Sequence, residues 1–346
     1  MGEMCSIGAG PLCLTVLVPE AATSLSRQHL DGGFPGGFPD LVEQLAGINA
    51  QTPRAPYVAV WTRMGDYDRA LLDEVFTSNR LVRANVMRGT IHALTPRQYA
   101  MWWPALQPTL RRVVDGFCKG FTARVDVQHL VDEAVNVLDA RGALGRRELG
   151  AELAGSFPDS TSQELGFAAR LLAPIVQTGD SVNWNGNRPT YVPFESVTDL
   201  KLCAAAEGRR DLARSFAAAF GVNNPADFAY WSGMTVREAR QEQSTLDEAI
   251  AGDRAVAVPR KAYVLPEFDN LFFAQKQAVP FTPADAKKRL IFGAAEMKGC
   301  IIMDQRVVGE WRRQRGGDRP DLTYWEPESL QMRAEWRRFA GWYEGT

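Results

Sequence analysis

Histidine and clustered cysteine are what this 346-residue chain has least of. Its three histidines, His29, His92 and His129, form no H-E-x-x-H or comparable spacing, which argues against a metalloenzyme. The five cysteines, Cys5, Cys13, Cys118, Cys203 and Cys300, are odd in number and scattered. With no C-x-x-C among them they read as reduced structural thiols without a zinc site. No run of about 18 apolar residues occurs, so nothing is expected to span a membrane and a cytoplasmic protein is expected. Nor does charge of one sign dominate. A net charge of −2 and a pI near 6.0 give bulk nucleic-acid binding no support, so any such binding must use local patches. Lysine is scarce beside arginine, the better bidentate partner for phosphate. Ile7–Val18 is mildly apolar, but Glu3 precedes it, no Lys or Arg does, and no small-x-small site follows. Residues 1–24 therefore read as a leader.

What is present is ordinary globular composition, 45% hydrophobic and 23% charged, enough for two or more packed units. The most informative stretch is PDLVEQLAGINAQTPRAPYVAVW, residues 39–61. Leu41, Leu45 and Ile48 recur at helical spacing, Asp40 stands where an N-cap belongs, and Glu43 completes a capping-box-like pair. Pro53 pushes Thr52 out of the α region, so the helix should end near Ala50. Asn49 and Gln51 lie two apart. In a backbone that straightens here they fall on one side, and two carboxamides can hold a water or a ligand edge.

Further along, three helices over 39–75 precede a strand pair, Leu81–Leu94, turning at Met87-Arg88-Gly89. That is the pattern of a winged helix. It returns twice. Helices over Val127–Leu138, Arg147–Leu153 and Gln163–Val176 precede Ser181–Pro193, where Asn185-Gly186 is a strong hairpin turn. Helices over Leu212–Phe220, Ala226–Ser232 and Thr235–Ala251 precede a hairpin over Ala255–Leu265 turning at Pro259-Arg260-Lys261. The remainder is strand-like at Leu290–Phe292 and Cys300–Trp311, with a turn at Asp304-Gln305. An amphipathic helix, Leu330–Tyr343, closes the chain with Met332, Trp336, Phe339 and Trp342 as its core stripe. The expected fold is mainly α with β-hairpins (α+β): three tandem winged-helix motifs plus a C-terminal β-rich part. Its boundaries fall at 1–24, 25–120, 121–198, 199–265 and 266–346.

Five ordered blocks, LAGINAQTPRAPYVAVW, VRANVMRGTIHAL, NNPADFAYWSGMTVREAR, VLPEFDNLFF and VVGEWRR, resemble the tandem winged-helix DNA glycosylases of the AlkZ/YcaQ type, from about residue 25 to the end. The resemblance implies three winged helices in a C-shaped arrangement around DNA and excision of alkylated purines. It also implies, for some members, protection of antibiotic producers from their own DNA-alkylating products. The family's catalytic motif is Gln, an apolar residue, then Gln or Asp. Here Asn49-Ala50-Gln51 occupies that place: Gln51 matches, and Asn49 keeps the amide but is one methylene shorter.

The chemistry suits carboxamides. An N7- or N3-alkylated purine is cationic and leaves as a neutral base, so a strong general acid is not needed. A site without an amine nucleophile implies a monofunctional glycosylase. Asp269 in PEFDN is the candidate supporting carboxylate, and it also reads, more simply, as a cap on the next helix. DNA contacts are expected on the hairpins: Arg83, Arg88, Thr90 and His92 on the first, Asn185, Asn187 and Arg188 on the second, Arg260 and Lys261 on the third, with Arg54 directly after the motif. Arg312, Arg313 and Arg315 form another basic group, which also reads as a solvated strand end. The expected partner is double-stranded DNA bearing alkylated purines, bound by a monomer on the nucleoid, with no metal and no cofactor. A non-catalytic winged-helix transcriptional regulator is the alternative. A third reading is a structural protein whose repeats only stack.

Overall fold

The computed structural model describes residues 24–30, 33–250, 261–276, 286–292, 296–314 and 319–345. The expected leader falls almost wholly outside these residues, as do Arg260 and Arg315. Helix α1 (Phe38–Gln44) is shorter than the sequence suggests. Its N-cap is Gly37, whose N–H the Asp40 side chain accepts at 3.1 Å, so Asp40 is the third helical residue rather than the cap. Ala46 and Gly47 both take positive φ, 55° and 81°, and break the helix before Ile48. Ile48 and Asn49 then form strand β1. Ile48 is still buried, as its place in the apolar stripe requires, but on a strand. Glu43 does not cap; it reaches the Thr95 hydroxyl and pairs with Arg97 at 2.7 Å.

Helices α2 (Ala55–Met64) and α3 (Arg69–Thr77) follow, then the expected hairpin: β2 (Val82–Asn85), a 3-10 turn at Met87–Gly89, and β3 (Ile91–Leu94). In α3, Leu72, Val75 and Phe76 face the core, whereas Leu71 is exposed. The longest helix, α4 (Pro96–Phe117, 22 residues), is not among those expected. Its start carries a clear signal: Thr95 and Gln98 bond each other's backbone N–H at 3.1 Å in a capping box, with Pro96 at N1. Pro104 and Pro108 inside it hide the continuation. Its buried Tyr99, Trp102, Leu106, Leu110 and Val114 make α4 the spine of the largest core.

Next come α5 (Phe121–Arg124), α6 (Val127–Arg141), β4 (Leu144–Gly145), α7 (Arg146–Leu153) and α8 (Ser162–Leu172). Residue 173 is extended before Pro174, which stops α8 short of the expected Val176. Ile175–Gln177 is strand β5, paired with β6 (Thr190–Pro193). The expected turn between them is there: Val182 bridges Asn187, and Asn183 Oδ1 accepts from the N–H groups of Asn185 and Gly186.

The two hairpins do not stand apart. Arg83 of β2 pairs with Gln177 of β5, giving one six-stranded antiparallel sheet in the order β1-β3-β2-β5-β6-β4. Helices α9 (Ala205–Phe220), α10 (Pro225–Ser232), α11 (Val236–Arg240) and α12 (Gln243–Ile250) follow, the last two replacing one expected helix.

The strand meant for the third hairpin, β7 (Tyr263–Leu265), joins a second sheet instead. Residues 251–260, which hold the rest of that hairpin and its turn, lie outside the described residues. After α13 (Ala286–Leu290), β8 (Ile291–Phe292) pairs with β9 (Glu296–Met297). Strands β10 (Gly299–Met303), β11 (Arg306–Arg313) and β12 (Pro320–Tyr324) then complete the sheet β12-β11-β10-β7. Its hairpin turns at Asp304 and Gln305, both at positive φ.

The closing helix α14 (Leu330–Glu344) packs on this sheet and on α2 together. Phe339 lies 5.2 Å from Trp61 and 5.0 Å from Trp311, centroid to centroid. The C-terminal part and the first helices thus share one core. No helix among the described residues is long and apolar enough to cross a membrane.

Candidate active site

The motif strand β1 lies at the sheet edge, with Asn49 directly across from His92. Asn49 is buried and Gln51 is exposed. Each amide oxygen is held by main chain. Asn49 Oδ1 accepts the Gln51 N–H at 2.9 Å, and Gln51 Oε1 accepts the Ile91 N–H at 3.2 Å, extending the ladder one residue past Ala50. Both side chains are therefore fixed, one beneath the strand exit and one on it. Among the described residues neither amide NH2 has an acceptor, so each keeps its donor end for a ligand.

Asn49 borders a tight cavity of about 10 Å³ shared with Gln28, Arg63, Asp269 and Asn270. That is roughly the space of one water, so the longer side chain of a glutamine here would press on its neighbours. Asp269 lies in the same cavity wall but is fully engaged. It pairs with Arg63 through both oxygens at 3.1 and 3.2 Å, and its Oδ1 caps the next 3-10 turn by accepting the Leu271 N–H at 3.1 Å.

Beyond Gln51 the chain runs along a larger cavity of about 270 Å³. It is lined by Thr52, Pro53 and Arg54, by Pro266 and Glu267, by the aromatic Trp184, Trp311 and Tyr343, and by Asn185, Asn187 and Arg313. The second hairpin's turn closes it because the turn folds back on the first unit. The Trp184 carbonyl accepts from Arg54 Nε at 3.0 Å, and the Val182 carbonyl from Arg83 Nη1 at 2.7 Å. Trp184 is clasped between Arg54 and Arg69, whose guanidinium carbons lie 4.5 and 4.4 Å from its ring.

Glu267 and Trp184 line this cavity without having been singled out in the sequence, whereas Arg313 was named there in a basic group. Glu267 stood one residue inside the quoted PEFDN block and was passed over for Asp269. Burial raises the Glu267 carboxyl above its ordinary range, against the pull of Thr52, Arg313 and Arg54.

The first hairpin's expected DNA contacts turn inward, which corrects their placement at a solvent-facing tip. Arg83 is buried beneath the Phe76 ring at 3.5 Å, and burial lowers its pKa. Arg88, at φ 56°, donates to the Trp231 carbonyl and lies 5.0 Å from the Phe273 ring; burial brings its pKa down to about 10. Thr90 is half-buried and donates to the Met87 carbonyl. His92 is fully buried, with Nδ1 at 3.1 Å from the Thr90 carbonyl and Nε2 without a partner; burial, aided by Arg88, holds its pKa near 3. The hairpin tip packs on α10, so these groups brace the fold. Arg54 is likewise buried. By contrast, Asn185, Asn187, Arg188 and Lys261 are exposed. Arg312 and Arg313, at the end of β11, border this cavity and its neighbour.

The chain is thus helical, with hairpins that build small antiparallel sheets, and its motif strand runs into a cleft lined by aromatic, acidic and basic groups. The model of the AlkZ-like DNA glycosylase family matches residues 42–342, and the chain belongs to that family. Among solved structures, the Streptomyces sahachiroi DNA glycosylase AlkZ superposes with a TM-score of 0.77 at 18% identity, covering 95% of this chain and 96% of that one. Comparison with curated proteins by sequence gives no significant match.

Proposed function

We propose that this DNA glycosylase is monofunctional, excises bulky N7- or N3-alkylated purine adducts from double-stranded DNA, and serves self-resistance to a DNA-alkylating natural product. It acts as a monomer on the nucleoid, with units over 25–120, 121–198 and 199–265 preceding the β-rich part, 266–346, whose sheet the strand Tyr263–Leu265 joins. The observation that carries the reading is the pair Asn49 and Gln51. Their oxygens are tied to main chain while their NH2 groups stay unspent; Asn49 borders the small cavity at Asp269, and the larger cleft lined by Asn185, Asn187 and Arg313 begins at Thr52, the residue after Gln51. Two fixed amides can orient the water that attacks C1′ as the neutral base departs. Without an amine nucleophile in the motif the product is an abasic site with an intact backbone.

Phosphate contacts fall to the exposed Asn185, Asn187, Arg188 and Lys261, together with Arg260. Arg54 acts from inside by holding the Trp184 turn. The test is incubation with duplexes bearing N7-methylguanine or a bulky N7-guanine adduct, followed by assay for abasic sites. Release from the bulky substrate and its loss in Q51A is the expected outcome. A Q51A enzyme as active as the parent removes the assigned site.

A further inference from the structure

The segment Pro266–Asn270 is laid against the motif segment although some 200 residues separate them in sequence. Asn270 Nδ2 donates to the Gly47 carbonyl at 2.6 Å just before the motif. Pro266 borders the cavities on both sides of the Asn49–Arg54 run, and Phe268 and Asp269 line the one at Asn49. Between them, Phe268 takes φ 58°, a left-handed conformation costly for a bulky residue. This turn sends the two acids of the segment to different places. Asp269 goes to Arg63, and Glu267 to the 270 Å³ cavity, where it is the only acidic residue in the lining among the described residues.

We propose that Glu267 is the carboxylate of the reaction, lining the same cavity as Thr52, the residue after Gln51, and stabilising the positive charge that develops on the deoxyribose. The proposal rests on the reading of Asn49 and Gln51 as the motif. As the C1′–N bond breaks, its electron pair leaves with the base, which becomes neutral, and the positive charge passes to the sugar. Water then bonds to C1′ and its proton goes to solvent. Glu267 neither gains nor loses a proton; it acts by its charge, and a half-buried carboxylate does this more strongly than a solvated one.

The charged and titratable groups around it come from every neighbouring element. Arg54 lies at the start of α2, Arg312 and Arg313 on β11, Tyr343 on α14, and Glu296 and Lys298 at β9, with Asp269 two residues on. Arg54 and Arg313 favour the ionised form, burial opposes it, and burial prevails in direction. Protonation on the acid side therefore removes the charge and the rate with it.

The test is single-turnover excision from an N7-methylguanine duplex and a bulky N7-adduct duplex between about pH 5.5 and about 9, with parent, E267Q and E267D. The expected result is a parent rate that falls on the acid side. E267Q should be roughly hundredfold slower above that limb, with the limb gone and duplex affinity by anisotropy unchanged. An E267Q enzyme with the parent's rate, or a slow one that retains the acid limb, overturns the proposal. Should E267Q melt early, E267D carries the test: a displaced limb supports the proposal and an unmoved one overturns it. A parent that excises neither base defeats the activity reading itself, an outcome distinct from an active parent indifferent to residue 267.

Discussion

Replacing Asp269 should show how strongly the site's second segment is anchored. The Arg63–Asp269 pair is buried on both sides, with side chains 1% and 2% exposed, and is bidentate at 3.1 and 3.2 Å. Arg63 has other acceptors, the carbonyls of Gln28 and Ala59 at 3.0 and 3.1 Å, but all of these are neutral. D269N keeps an oxygen for the guanidinium and for the Leu271 N–H but leaves a buried cation uncompensated, which costs about 3–4 kcal/mol. D269A also deletes the cap on the 3-10 turn and should cost about 1 kcal/mol more. The double variant R63M/D269L, which removes both charges, should recover to within about 2 kcal/mol of the parent. Urea unfolding of the parent, R63M, D269L and R63M/D269L, read as a double-mutant cycle, measures the coupling. A loss below about 1 kcal/mol in D269N, or a double variant no better than either single, would refute the reading that this ion pair fastens Pro266–Asn270 to α2.

Other expectations follow from the same geometry. N49Q must place an extra methylene beside a cavity of about 10 Å³ and should cost roughly 1–3 kcal/mol by thermal melting; an unchanged melting temperature would show that the wall yields. His92, held near pKa 3 in the fold, stays neutral while the unfolded chain protonates below about pH 6.5. Its contribution is therefore complete above that pH and declines as pH falls towards 3. Between pH 6.5 and 5 it should account for about 2 kcal/mol of lost stability, and an H92N protein showing the parent's slope would exclude it. R188A and K261A should each lower the slope of log affinity against log salt by about 0.9 on any duplex, and unchanged slopes would remove them from the phosphate contacts.

Helices read from apolar spacing survive where capping and stripe agree, as in Val127–Arg141 and Leu330–Glu344. They fail where backbone chemistry intervenes. Ala46 and Gly47 end α1 early through left-handed φ, which no periodicity reports. The two prolines inside α4 conceal 22 residues of helix whose capping box was in plain view. The motif was legible as three consecutive residues, and its continuation through Arg54 as simple adjacency. Glu267 and Trp184 were not, because cross-chain packing brings them to the cleft and local spacing does not encode it. The hairpin arginines misled for a physical reason: a turn tip is polar by composition, yet α10 covers this one, so charge at a tip is not charge in solvent.

The pairing of Arg83 with Gln177 has a consequence for how the protein grips its substrate. The β2–β5 pairing, with Arg83 also bonded to the Val182 carbonyl, ties the motif strand's sheet to the turn carrying Asn185 and Asn187. A duplex touching both meets a stiff jig, and whatever curvature the encounter demands has to come from the nucleic acid. Lesions that already soften or buckle the helix would then be gripped at lower elastic cost than sound DNA.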